Sequence, residues 1–118
     1  MKIETVKQAE EAVSGDARLA CMSWQTGGRD LALEFEFPGQ ATRKRARLRC
    51  TWARDLHIDL DWRRMMPDAD SVIEIGGMAL TWEAQYSKLR NGCWRLMFDL
   101  PPHGFIQLEC NELFFEEI

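Results

Sequence analysis

The chain has 118 residues, 46% of them apolar and 29% charged, with a formal net charge of −4. That length suits a single domain over residues 1–118, and that apolar fraction can build a core, which excludes an intrinsically disordered chain. No apolar run reaches the roughly 18 residues of a membrane-spanning helix, and Met1-Lys2-Ile3-Glu4 lacks the apolar stretch of a secretion signal, so a cytoplasmic location and no membrane partner are expected.

Thr5-Val6-Lys7-Gln8 is a capping-box signature, with Thr5 as N-cap and Gln8 three positions on. Val6, Ala9 and Val13 follow at helical spacing and Gly15 is a natural stop, which predicts one short helix over about 6–14. Residues 18–25 read as a first strand. Gly27-Gly28 turns it into 30–37, where Leu31, Leu33, Phe35 and Phe37 alternate with acids at Glu34 and Glu36. Pro38-Gly39 ends that strand. In 44–52, Ala46, Leu48, Cys50 and Trp52 alternate with Arg45, Arg47 and Arg49. In 56–62, Leu56, Ile58, Leu60 and Trp62 alternate with a polar face holding Asp59 and Asp61. An irregular stretch, 63–70, precedes strands at 71–75 and 78–86 around Gly76-Gly77, a hairpin signal. Asn91-Gly92 is a second such signal before 93–100. Pro101-Pro102-His103-Gly104 turns into 105–110, and 113–118 is apolar and acidic without a firm assignment.

The expected fold is mainly β: an antiparallel meander of about eight strands forming a sandwich, a barrel or one curved sheet, plus the short N-terminal helix. Matching apolar to apolar sets a register. Leu33 falls opposite Leu48 and Phe35 opposite Ala46, which places Glu34 against Arg47 and Glu36 against Arg45. On the other side, Leu48 opposite Leu60 and Cys50 opposite Ile58 would place Arg47 against Asp61 and Arg49 against Asp59. Arg47 would then stand on the wet face of a central strand. Each such pair contributes only about 0.2–1 kcal/mol, and its larger role is register.

Chemistry-bearing patterns are sparse. Cys21, Cys50, Cys93 and Cys110 form no CxxC pair and read as reduced thiols, Cys50 and Cys110 on the buried phase. Cys93 follows a hairpin and could be accessible, but no local signature makes it a nucleophile. His57-Ile58-Asp59 with His103 has the residue types of the facial triad of non-haem iron oxygenases. His57 and Asp59 fall on the polar face, however, and no Lys or Arg follows His103 to hold a co-substrate, so no metal or cofactor is expected. Asp68 and Asp70 lie in a polar loop, and no glycine-rich segment opens a helix to cradle phosphate. Arg43 to Arg49 holds five cations in seven residues, which would suit nucleic acid. The register surrounds them with acids, and the protein as a whole is acidic, so that reading is disfavoured. Trp24, Trp52, Trp62, Trp82 and Trp94 read mainly as core.

The charge is unevenly spread. Residues 43–64 hold eight of the fifteen bases, whereas residues 99–118 hold five acids and no Lys or Arg. In size, acidity and expected architecture the chain resembles the small immunity proteins with which bacteria neutralise toxin domains from rival cells. That resemblance implies a non-enzymatic protein-binding domain whose partner is basic where it docks. The candidate surface is Glu109, Glu112, Glu116 and Glu117, with Phe114 and Phe115 as apolar anchors. The alternatives are a small-molecule-binding β-barrel lined by the tryptophans, or an accessory subunit of a larger assembly.

Overall fold

The computed structural model describes residues 1–13, 17–37, 42, 45–60, 83–100 and 104–118. In chain order these form β1 (Lys2–Ile3), α1 (Val6–Ala12), β2 (Arg18–Gln25), β3 (Asp30–Glu36), β4 (Arg45–Thr51), β5 (Arg54–Leu60), β6 (Glu83–Lys88), β7 (Trp94–Leu100), β8 (Gly104–Cys110) and β9 (Glu112–Glu117). Five strands make one antiparallel sheet in the order β1-β9-β4-β3-β2, and four make a second in the order β5-β8-β7-β6. The described strands do not close into a barrel.

Alternation decides which face of each sheet is dry. Leu31, Leu33 and Phe35 of β3, Ala46, Leu48 and Cys50 of β4, and Leu113 of β9 point inward and are buried. Trp94, Leu96 and Phe98 of β7 and Ile106, Leu108 and Cys110 of β8 join them in one core. The rings of Phe35 and Phe98 meet across the two sheets, with centroids 6.0 Å apart. Burial of each such side chain contributes about 1.5–3 kcal/mol. The helix begins as the sequence predicts. The Thr5 hydroxyl accepts from the Gln8 backbone N–H at 3.1 Å, and the Gln8 side chain accepts from the N–H of Thr5 at 3.2 Å and of Glu4 at 2.8 Å. Ala9 and Ala12 then enter the core while α1 packs against β6 and β1. Neither β1 nor β9 was assigned from the sequence. The Phe115 backbone links them twice, accepting from the Met1 amino group at 2.9 Å and donating to the Met1 carbonyl at 2.8 Å.

The register of β3 on β4 is the expected one: Leu33 faces Leu48, Phe35 faces Ala46, Glu34 faces Arg47 and Glu36 faces Arg45. The other half of the meander is overturned. β5 does not lie beside β4. The neighbour there is β9, with Leu48 opposite Phe115 and Arg47 opposite Glu116, while Ile58 faces Ile106 of β8. Between the two strands Trp52 takes φ 52° and Asp55 φ 50°, a left-handed backbone at the point where the chain leaves β4 and enters the second sheet. The return crossing, at Asn111 between β8 and β9, lies directly alongside, and the Asn111 N–H donates to the Thr51 carbonyl at 2.9 Å. The same turn ends the alternation, so Trp52 is 54% exposed rather than buried as its phase implied.

Asp61, Trp62, Asp68, Asp70, Trp82, His103, Arg43, Lys44, the Gly76-Gly77 hairpin and the Pro38-Gly39 turn lie outside the described residues. The Asn91-Gly92 turn joins β6 to β7, closed by Leu89 N–H donating to the Cys93 carbonyl at 2.8 Å.

Candidate functional site

Along β3, Asp30, Ala32, Glu34 and Glu36 share the outward phase. On β4 that phase carries Arg45, Arg47, Arg49 and Thr51, and on β9 Glu112, Phe114 and Glu116. These residues form an ion-paired face. Glu34 sits between two guanidiniums, 2.7 Å from Arg45 and 2.9 Å from Arg47. Arg45, then Arg47, then the Cys21 thiol donate to it and hold its carboxyl at about 2. Arg47 and Arg49 each reach Glu116 at 4.0 Å, and Arg49 stacks on the Phe114 ring at 4.6 Å. Arg47 thus lies on the outward face of a central strand, opposite in phase to buried Leu48, as expected. Its acidic partners are Glu34 and Glu116, and Glu116 fills the position expected of Asp61.

The face runs without a break into the sheet corner. Arg49 lies 3.6 Å from Asp30, whose side chain is fully buried. Arg29 binds that carboxylate through both oxygens, at 2.9 Å and 3.1 Å. The Thr26 hydroxyl donates to it at 3.1 Å and the Trp52 backbone N–H at 3.2 Å. Arg29 foremost, helped by the Trp52 N–H and Thr26, pulls the Asp30 carboxyl down to about 2 against the opposing effect of burial. The Arg29 guanidinium also lies 5.0 Å over the Trp52 ring. One buried carboxylate therefore fixes the β2–β3 turn, the start of β3 and the β4–β5 crossover.

The six candidate residues of the acidic segment do not share one surface. Glu112, Phe114 and Glu116 are together on the outward face of β9. Glu112 is 3.1 Å from Lys2, and both it and Glu116 remain more than two-fifths exposed. Glu117 is exposed at the end of the same strand. Phe115 points the other way and is 8% exposed, within the core, so it cannot touch a partner while the sheets stay closed. Glu109 belongs to the second sheet, 3.6 Å from Arg95. His57 and Asp59 are exposed on β5, which ends the order of the described strands in its sheet, and no group of three metal-ligating side chains occurs among the described residues. Cys50 and Cys110 are fully buried free thiols, and Cys110 beside it, together with burial, pushes the Cys50 thiol up. The Tyr86 hydroxyl is buried in the same core with no hydrogen-bond partner among the described residues. Trp94 is core, whereas Trp24, on β2 at the end of the described strand order, is half exposed.

Sequence reasoning missed the corner: Arg29, Asp30, Arg54 and Asn111. One signal was present, since Asp30 shares the parity of Glu34 and Glu36. Its burial depends on the crossover, which the alternating pattern does not encode. Comparison of the chain with protein-family models, with curated proteins and with solved structures finds no match.

Proposed function

We propose that this chain is a non-enzymatic protein-binding domain that docks through the outward face of the five-stranded sheet, in the manner of an immunity protein occupying a toxin domain. The observation that carries the reading is Trp52. It is half exposed, yet its backbone is held by the buried Asp30 carboxylate at the end of a continuous ion-paired array. Exposing a tryptophan forgoes the burial of a large apolar side chain, and such rigid aromatic and arginine groups dominate protein interfaces. The array presents Arg45, Arg47, Arg49 and Phe114 already ordered, which lowers the entropy cost of docking. Its charges largely balance internally. Glu117 adds an acid at its β9 end, beside the half-exposed carboxylates of Glu112 and Glu116, and this edge would steer a partner that is basic there.

The small-molecule barrel draws no support from this arrangement, because the described strands form two sheets that do not close into a barrel and Trp94 is packed in the core between them. An accessory subunit would use the same outward face. The test is co-expression with the product of the neighbouring gene in its genome. The immunity reading expects that product to be toxic alone, its toxicity to be relieved by this chain, and the two to purify as a stoichiometric complex that Trp52→Ala weakens. A harmless neighbour, or relief of toxicity without a complex, contradicts it.

A further inference from the structure

On the far side of Trp52 the corner opens into a groove of about 480 Å³, lined by Gly27, Gly28, Arg29, Trp52, Arg54 and Asn111. Among the described residues no carboxylate lines it, and its side-chain polar groups are set to donate. Arg54 uses one nitrogen, Nη1, on the Trp52 carbonyl at 3.0 Å and on the Asn111 side-chain oxygen at 2.8 Å. Both acceptors are neutral, so they position the guanidinium without cancelling its charge. That asparagine oxygen also takes the Cys93 thiol at 3.5 Å, which leaves the amide nitrogen of Asn111 as the donor. The described acids around it are engaged or lie outside its lining. Asp30 is buried and held by Arg29, Thr26, Trp52 and Arg49. Glu109, opposite Arg54 in register, lies by Arg95 at 3.6 Å. Asp55 is exposed outside the groove lining.

The backbone points to the same place. Trp52 (φ 52°), which lines the groove, and two sequence neighbours of its lining, Thr26 (φ 54°) before Gly27 and Asp55 (φ 50°) after Arg54, all adopt the left-handed region without being glycine. Such strained residues collect at ligand clamps where surrounding contacts hold them.

We infer that this groove binds a small oxyanion carried on a planar apolar group. The anion sits on the Nε–Nη2 edge of Arg54 with the Asn111 amide beside it, and the planar group lies against the Trp52 indole. Arginine presents two parallel donors that match a carboxylate or phosphate, and the indole supplies the apolar wall. This site goes beyond the protein-docking reading and needs no protein partner.

The experiment is a titration of the ¹⁵N-labelled full chain with benzoate, phenyl phosphate and neutral benzamide, following the Trp52 indole N–H and the Arg54 Nε–H. The expected result is saturable shifts of both signals with benzoate, phenyl phosphate or both, and none with benzamide. Arg54→Gln should weaken that binding by about tenfold or more, and Arg54→Lys, which keeps the charge but not the fork, by less. Stronger binding of benzoate assigns a carboxylate, and stronger binding of phenyl phosphate a phosphate ester. Equal shifts with benzamide, no saturation with either anion, or unchanged binding in a folded Arg54→Gln or Arg54→Lys protein would overturn the inference.

Discussion

The two ends of β4 use the same chemistry with different consequences. At the Arg45 end, Glu34 is shared by two arginines that water still reaches, so each pair is replaceable and screened. At the Thr51 end, Asp30 is sealed from solvent and satisfies donors from two turns. Removing one partner from a buried network leaves uncompensated charge, which costs far more than losing a surface pair. The ladder sets register, whereas the corner sets topology, because it is where the chain changes sheets.

The largest effect should come from breaking the corner. Asp30→Ala is expected to lower stability by about 3 kcal/mol in urea unfolding, with Asp30→Asn less damaging because the amide oxygen still accepts. The same variant should loosen Trp52, seen as lost hydrogen-exchange protection of its backbone N–H. A loss below about 1 kcal/mol would place the corner on a par with the ladder.

Acid should weaken both ends of β4 together. Asp30 and Glu34 both have folded-state values near 2, below those of the unfolded chain. Their contribution is therefore complete above about pH 5 and is lost as pH falls through 4 towards 2. Unfolding measured against pH should lose most of this dependence in the Asp30→Asn, Glu34→Gln double variant. An unchanged acid limb in that variant contradicts the assignment.

Within the ladder, Arg47→Ala should cost about 1 kcal/mol or less, since Arg45 still serves Glu34 and the site is open to water. A cost near that of Asp30→Ala would erase the contrast between the ends of β4. The smallest stability effect is expected from Glu112→Gln, Glu116→Gln and Glu117→Gln together, within about 0.5 kcal/mol of the parent. Once a partner is in hand, the same triple variant should slow association and flatten its salt dependence. An unchanged on-rate moves the docking edge away from β9.

How far the sequence could be read follows from where the pattern is local. The helix cap at Thr5, the strand phases of β3 and β4, and the pairing of Glu34 with Arg47 rest on neighbours a few residues apart or on one adjacent hairpin, and all were legible. The partner of β4 on its other side was not. β9 lies more than sixty residues downstream and takes the place of the sequence-adjacent β5, which the chain reaches through a left-handed backbone at Trp52 and Asp55 that neither residue type announces. The same turn hid the exposure of Trp52, whose apolar phase pointed to the core. The acidic segment was legible as charge but not as surface: one phase of β9 carries Glu112, Phe114 and Glu116 outward, and the other takes Phe115 inward.

The most direct test of the corner as the organising site is the titration of the Asp30 carboxyl itself, followed by carbon NMR alongside the backbone N–H of Trp52. A midpoint near 2, with the Trp52 signal moving in step, is the result expected of a buried carboxylate held by Arg29 and that N–H. A midpoint at the ordinary aspartate value of about 4, or a Trp52 signal indifferent to it, would contradict the account.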